Sequence, residues 1–376
     1  MISPEFFYSE LQQAGVEFFA GVPDSLLKNL CAYITDHTDN RHHIIAANEG
    51  GAIGLAAGYH LATGKIPLVY MQNSGEGNVV NPLASLMDPD VYKMPVLLVI
   101  GWRGEPGVHD EPQHVKQGKI TCSLLETLEI PYSVLEQDEA IAKQQLSDAM
   151  ETLTASNAPV AIVIRKGTFS DYKLQNQTGN GMSLSREHAI ETVVQVLPEN
   201  SCVVSTTGMI SRELFEIREH KGQGHQYDFL TVGSMGHASQ IALGIALMKP
   251  QVRVFCFDGD GAAIMHMGGL AIIADKAPNN YVHIVFNNGA HDSVGGQPTV
   301  GLSINLCEVA KAVGYKKVFL AENEQQLLSA IQSVKSAEGP VLVEVRVAKG
   351  NRPDLGRPTT TPQQNKESLM TFLKTV

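Results

Sequence analysis

The chain is 376 residues long, 43% hydrophobic and 18% charged, with a formal net charge of −11. That length suits two or three domains, and that composition suits a globular protein with a large buried core. The acidic balance, with no basic run longer than Lys316-Lys317, argues against the clustered basic face that nucleic acid requires. No apolar run approaches the roughly 18 residues of a membrane span. Five cysteines (31, 122, 202, 256 and 307) form no CxxC pair, and the segment MISPEFFYSELQQAG lacks the basic start of a secretory signal. Buried thiols in a reducing compartment, the cytoplasm, are expected.

In chain order, Ser3-Pro4 followed by Phe7, Leu11 and Ala14, with Gly15 behind, predicts a capped first helix. Short apolar runs predict strands at 16–20, 44–47, 66–71, 96–100 and 160–164, separated by helical patterns. Across 173–184 the composition turns polar and Gly-containing, KLQNQTGNGMSL, which reads as a linker. Beyond it Ser185 caps a helix with Ile190, Val193, Val194 and Leu197 on one face. A second strand series is expected at 202–205, 229–232, 252–257, 282–286, 317–320 and 341–345. Strands alternating with helices predict an α/β fold of two doubly wound parallel-sheet domains, 1–172 and 185–376, the second with a C-terminal extension.

The segment from Val252 to Asn288 carries the most chemistry. An apolar strand runs into Asp258-Gly259-Asp260-Gly261, a helix is predicted over 262–274, and a second strand ends on Asn287-Asn288. Parallel strands of a doubly wound sheet present their carboxyl ends side by side. Asp260 and Asn288 can therefore share one Mg²⁺, an ion that prefers carboxylate, carbonyl and water oxygens and commonly takes phosphates as well. The helix start at Gly261 offers N–H groups and a positive dipole end to a diphosphate. A dinucleotide fingerprint fails on spacing, because Ile264 stands where Gly or Ala is needed, and no Walker-type motif occurs. The plain structural alternative is a tight turn with a dipole-stabilised carboxylate.

Gly259-Asp260-Gly261 with the paired asparagines resembles the thiamine diphosphate motif of decarboxylases, synthases and transketolases. The resemblance implies Asp260, Asn288 and the backbone carbonyl of Ala290 as metal ligands, with Asn288 preferred because such enzymes usually use the second residue of the pair. Residues 48–58, NEGGAIGLAAG, resemble the segment with the activating glutamate, here Glu49. Residues 233–246, GSMGHASQIALGIA, resemble the segment that bends the cofactor, with the Gly233 carbonyl on the aminopyrimidine and Met235 between its rings. Without an intervening central domain, the chain looks like the compact phosphonopyruvate and sulfopyruvate decarboxylases. That likeness implies a pyrimidine-binding first domain and a diphosphate- and Mg²⁺-binding second one. It further implies a homo-oligomer, at least a dimer, with active sites between subunits.

Substrate contacts are expected in loops at strand ends. The run GWRGEPGVHDEPQH (101–114) supplies Arg103, His109, Asp110 and His114 after an apolar strand, and Arg suits phosphonate or carboxylate oxygens. Asp24 and Ser25 lie at another strand-to-helix turn, where Asp24 can instead serve as a helix cap. HDSVGGQPT (291–299) is Gly-rich enough to close over a diphosphate, and GNRPDLGRPTTTP (350–362) offers Arg352 and Arg357 on a segment expected to be irregular. For proton transfer the candidates are His109, Asp110, His114 and His291. The segments 101–114, 291–299 and 350–362 look like those of phosphonopyruvate decarboxylases, which implies conversion of 3-phosphonopyruvate, a small anionic 2-oxo acid, to phosphonoacetaldehyde and carbon dioxide in phosphonate biosynthesis. Sulfopyruvate is the rival substrate, and an uninterrupted chain favours the phosphonate. A thiamine diphosphate carboligase is the further alternative.

Overall fold

The computed structural model describes residues 1–175 and 179–376. Two six-stranded sheets, all of whose pairings are parallel, organise the chain. The first contains β1 (Phe19–Gly21), β2 (His43–Ile45), β3 (Leu68–Gln72), β4 (Leu97–Gly101), β5 (Tyr132–Val134) and β6 (Val160–Ile164), in the order β2-β1-β3-β4-β6-β5. The second contains β7 (Ser201–Ser205), β8 (Asp228–Leu230), β9 (Arg253–Gly259) and β10 (Tyr281–Asn287). Two strands of two residues each follow outside the main sheets, β11 (Ala290–His291) and β12 (Gln297–Pro298). β13 (Lys317–Ala321) and β14 (Val341–Arg346) complete the second sheet, whose order is β13-β14-β10-β9-β7-β8. The chain divides into one unit of Met1–Gln177 with Val294–Gln297 and another of Thr178–Ser293 with Pro298–Val376. The predicted linker, 173–184, includes 176–178, which lie outside the described residues.

The strands read as unbroken apolar runs because both faces of each sheet are covered. In β9, Phe255 and Phe257 enter one core while Val254 and Cys256 enter the other. In β3, Leu68 and Tyr70 face one core of the first unit, Val69 and Met71 the other. Each large apolar side chain so buried contributes roughly 1.5–3 kcal/mol. Ser3 accepts from the Phe6 N–H at the start of the first helix, Pro4–Gln13, and Ser185 accepts from the His188 N–H at the start of Arg186–Val194.

Three elements differ from expectation. The helix predicted over 262–274 is two helices, Asp260–Met265 and Gly269–Lys276, because Gly268-Gly269 interrupts it. β5 is a three-residue edge strand, Tyr-Ser-Val, too short for a hydrophobic pattern to register. The segment after Arg357 does not trail off: Pro362–Thr375 is a helix opened by a capping box between Thr361 and Gln364. It covers the edge strand β8, with Asn365 accepting from Leu230 N (3.0 Å) and donating to the Asp228 carbonyl (2.9 Å). Among the described residues no helix is long and apolar enough to cross a membrane.

Candidate active site

In the second sheet the register sets Gly259 opposite Phe286, so the turn after β9 and the asparagine pair after β10 emerge side by side. Asp260 is 3% exposed at the start of its short helix. Its carboxylate accepts from the Thr299 hydroxyl. Burial pushes the Asp260 carboxyl up to about 6, against the opposing hydrogen bonds from Thr299 and from nearby backbone N–H groups, Asn288 among them. These groups are hydroxyl and amide donors, with no cation among them. A buried carboxyl beside amide and hydroxyl oxygens and without a counter-charge fits a divalent cation that prefers hard donors. Asn287 is fully buried and already engaged, donating to the Gly301 carbonyl and to Glu344 Oε1 at 2.8 Å each. Asn288 donates to Asp292 Oδ2 (2.6 Å), while its Oδ1 accepts from Ala290 N (3.0 Å) and keeps a second lone pair.

Gly261 has no room for a side chain. A Cβ there would stand 2.8 Å from the His291 ring and 3.4 Å from the Met235 methyl, so the motif residues His291 and Met235 converge over this turn. Burial lowers the His291 imidazole to about 4, with Asp292 opposing, and the ring is neutral at pH 7. Gly233 takes φ of +67° and donates its N–H to the Thr207 hydroxyl (3.1 Å), which ties the ends of β7 and β8 together. Beneath the turn, Asp258 accepts from Gly259 N (3.0 Å) and pairs with His283 Nε2 (3.2 Å). Cys256, Asp258 and His283 bring their ligand atoms within 4.8 Å of one another, but the last two already bond each other and brace the turn.

In the first unit Glu49 opens the helix Glu49–Thr63, behind the N-cap Asn48, and is 5% exposed. Its Oε2 accepts from Asn78 Nδ2 (2.7 Å), and a Cβ on Gly75 would sit 2.5 Å from its Oε1. Only glycine fits there. Asp24 is fully buried and caps the turn before Lys28–His37 by accepting from Leu26 N and Leu27 N. It also accepts from Gln72 Nε2 (2.6 Å), and since the helix itself begins behind Leu27 with no side-chain cap, Asp24 braces the preceding turn and is not the helix cap expected as the alternative.

The loop after β4 gathers Ser25, Arg103, Asp110 and His114. Arg103 donates to Asp110 Oδ2 (2.8 Å) and Oδ1 (2.5 Å) and to Ser25 Oγ (2.6 Å). His114 Nδ1 lies 2.8 Å from Asp110 Oδ1. Burial raises the Asp110 carboxyl, but the Arg103 and His114 hydrogen bonds outweigh it and hold the group well below the usual carboxylate range. Arg103 is thus already neutralised by a two-pronged partner. Asp110→Ala, which strands two partly buried bases, should lower stability by on the order of 3 kcal/mol in urea unfolding. His109 is exposed and outside this cluster.

Arg352 is likewise engaged, by Glu187 (2.9 Å), Glu216 and Asp354 (3.1 Å); the Arg357 side chain is exposed. Asp292 Oδ2 joins the Asn288 side chain to Arg186 Nη1 (3.1 Å) and Gly350 N (2.9 Å). Thr207 and Asn78 went unnoticed in the sequence, and Asp292 and Thr299 were covered only as part of the run 291–299. Asn78 and Thr207 could have been found by the rule used for the 101–114 loop, since NSGEGN follows β3 and TTG follows β7.

Residues 4–124 match the thiamine pyrophosphate enzyme N-terminal TPP binding domain, and residues 206–345 match the C-terminal TPP binding domain of the same enzymes. The chain is 34% identical to a phosphonopyruvate decarboxylase from Streptomyces hygroscopicus, across 97% of this chain and 92% of that one. It is also 34% identical to the enzyme of the same name from Streptomyces viridochromogenes, across 100% and 96%. A sulfopyruvate decarboxylase from Methanosarcina acetivorans is 28% identical across 93% of each chain.

Proposed function

From the premise that the chain belongs to the phosphonopyruvate decarboxylase family of thiamine diphosphate enzymes, we propose that it converts 3-phosphonopyruvate to phosphonoacetaldehyde and carbon dioxide, a step of phosphonate biosynthesis. The observation that carries the reading is the adjacency of Asp260 to the asparagine pair at neighbouring strand ends, in a chain similar to these decarboxylases along its whole length. Bound thiamine diphosphate supplies the electron sink for carbon dioxide loss. Asp260, the Asn288 amide oxygen and the Ala290 carbonyl are read as Mg²⁺ ligands, Asn288 being taken over Asn287 on the resemblance to related enzymes. The backbone at Gly259 and Gly261 is read as facing the diphosphate, the Gly233 carbonyl and Met235 as orienting the aminopyrimidine, and Glu49 as hydrogen-bonding its ring nitrogen. Of the proton-transfer candidates, His291 stands against the Gly261 turn, where its neutral ring can hold and orient a water but carries no acidic proton of its own at pH 7, while His114 is held by Asp110.

The same reading makes the protein a cytoplasmic homo-oligomer, at least a dimer, in which Glu49 of one subunit serves the cofactor held by Asp260 of another. Five free thiols support the compartment; sedimentation tests the assembly. A single-chain sulfopyruvate enzyme is similar over nearly the full length, so an uninterrupted chain does not discriminate between the two substrates. Carbon dioxide release from phosphonopyruvate, sulfopyruvate and pyruvate, with and without Mg²⁺, does. We expect kcat/KM on phosphonopyruvate to exceed that on pyruvate by about 100-fold or more, the discrimination an engaged oxyanion provides over its absence, and to exceed that on sulfopyruvate, which carries an oxyanion of its own, by less. Comparable rates on pyruvate would defeat the phosphonate assignment. Product analysis with an added aldehyde separates a carboligase.

A further inference from the structure

Glu76 opens the helix Glu76–Pro82, directly after β3 and the turn Asn73–Gly75. It is 3% exposed, and among the described residues it is the one carboxylate with both oxygens buried and neither hydrogen-bonded. The groups around it offer no counter-charge. From the helix Pro112–Thr127 come Thr121 and Cys122. The Thr121 hydroxyl is close enough to favour the ionised form but already donates to the Gln117 carbonyl (2.9 Å) and accepts from Asn73 (2.9 Å). Behind Cys122 stand Glu126 and Tyr132, bonded to each other at 2.9 Å, and Arg165, bonded to Glu105 at 2.9 Å. On the same turn, Gly75 and Asn78 meet Glu49, another acid, from the helix Glu49–Thr63.

A buried carboxyl with no partner is stable only as the neutral acid. Burial lifts this one to about 8, so the proton is retained at neutral pH. Ionised, the group must reach water or draw water in, and its turn must move. That turn is flanked by Gly75 and Gly77, and it carries the two residues that seat Glu49: Gly75 packs against Oε1 and Asn78 bonds Oε2.

We propose that Glu76 is a proton sensor built against the catalytic glutamate: as the neutral acid it keeps Asn78 and Gly75 seated on Glu49, and on losing its proton it unseats them and switches turnover off. The inference rests on the reading of Glu49 given above. A group whose folded-state value is raised contributes stability that is complete below its ordinary value of 4.5, declines as pH rises, and is lost by about 8. The switch therefore acts on the alkaline side.

Trp102, the single tryptophan, reports on this neighbourhood without substrate or cofactor, because its indole N–H donates to the Gly118 carbonyl (2.8 Å), one turn before Thr121 and Cys122. Fluorescence of the cofactor-free protein and kcat of the holoenzyme are followed from pH 6.5 to 9.5. In the wild type we expect a fluorescence step with a midpoint near 8 and a rate that falls about tenfold per pH unit above it. In Glu76→Gln, which keeps the shape and cannot ionise, the step disappears and the rate at pH 9.5 stays within about twofold of that at pH 7; Glu76→Leu serves if the amide does not fold. A step of unchanged midpoint in the neutral variant overturns the proposal. A step that vanishes while both rate profiles stay the same overturns the coupling to Glu49. Should Glu49→Gln retain full rate at pH 7, the failure belongs to the reading of the site and not to the sensor.

Discussion

Asp260→Ala should abolish Mg²⁺-dependent binding of thiamine diphosphate, lowering affinity by at least about 100-fold, the upper end of what losing even a supporting group costs a metal site. Asp260 is the one carboxylate proposed for the ion; its companions, the Asn288 amide and the Ala290 carbonyl, are neutral. The surrounding bonds already point at it: the Thr299 hydroxyl and the Asp260, Gly261 and Asn288 N–H groups arrange the carboxylate without discharging it. The substitution relieves an acid that burial disfavours but leaves the Thr299 hydroxyl and nearby N–H groups without their acceptor, so the two effects oppose each other and the melt should move little. That separates metal loss from misfolding. Calorimetric titration with the cofactor, with and without Mg²⁺, alongside a thermal melt, checks both halves. Cofactor binding and turnover like the wild type would remove Asp260 from the metal site.

Glu49→Gln should bind thiamine diphosphate normally and lose turnover by about 10²–10⁴-fold, the range for removing a positioned acid–base group. Glutamine fits where glutamate does, between Asn78 and the bare Cα of Gly75, and its amide oxygen can still accept from Asn78 Nδ2. What disappears is the negative charge that favours a proton on the cofactor's ring nitrogen. Single-turnover carbon dioxide release together with cofactor affinity makes the measurement. A non-catalytic cofactor-binding protein would show equal affinity and no turnover in either form; equal turnover in both would take Glu49 out of catalysis.

Local patterns were legible because they need only a few consecutive residues. The apolar strands and the caps at Ser3 and Ser185 needed no tertiary context, and the predicted strands appear with shifted ends. So was the capping box at Thr361, whose Thr-Pro-x-Gln spacing announces the terminal helix although the segment read as irregular. The helix after Asp260 misled because Ala262, Ile264 and Leu270 continue an apolar pattern through Gly268-Gly269, and pattern alone does not weigh backbone entropy.

By itself the sequence determined the two doubly wound sheets and the proximity of Asp260 to the asparagine pair, since each follows from strand–turn–helix order along the chain. Tertiary structure alone decided which polar groups are already satisfied. Arg103 closes on Asp110 and Arg352 on Glu187 and Asp354; the Asn287 NH2 is taken by Gly301 and Glu344, while the Glu76 carboxylate oxygens find no hydrogen-bond partner. The physical reason is that a charge or amide is free or engaged according to what stands within hydrogen-bonding distance, and many of those neighbours arrive from elements dozens of residues away.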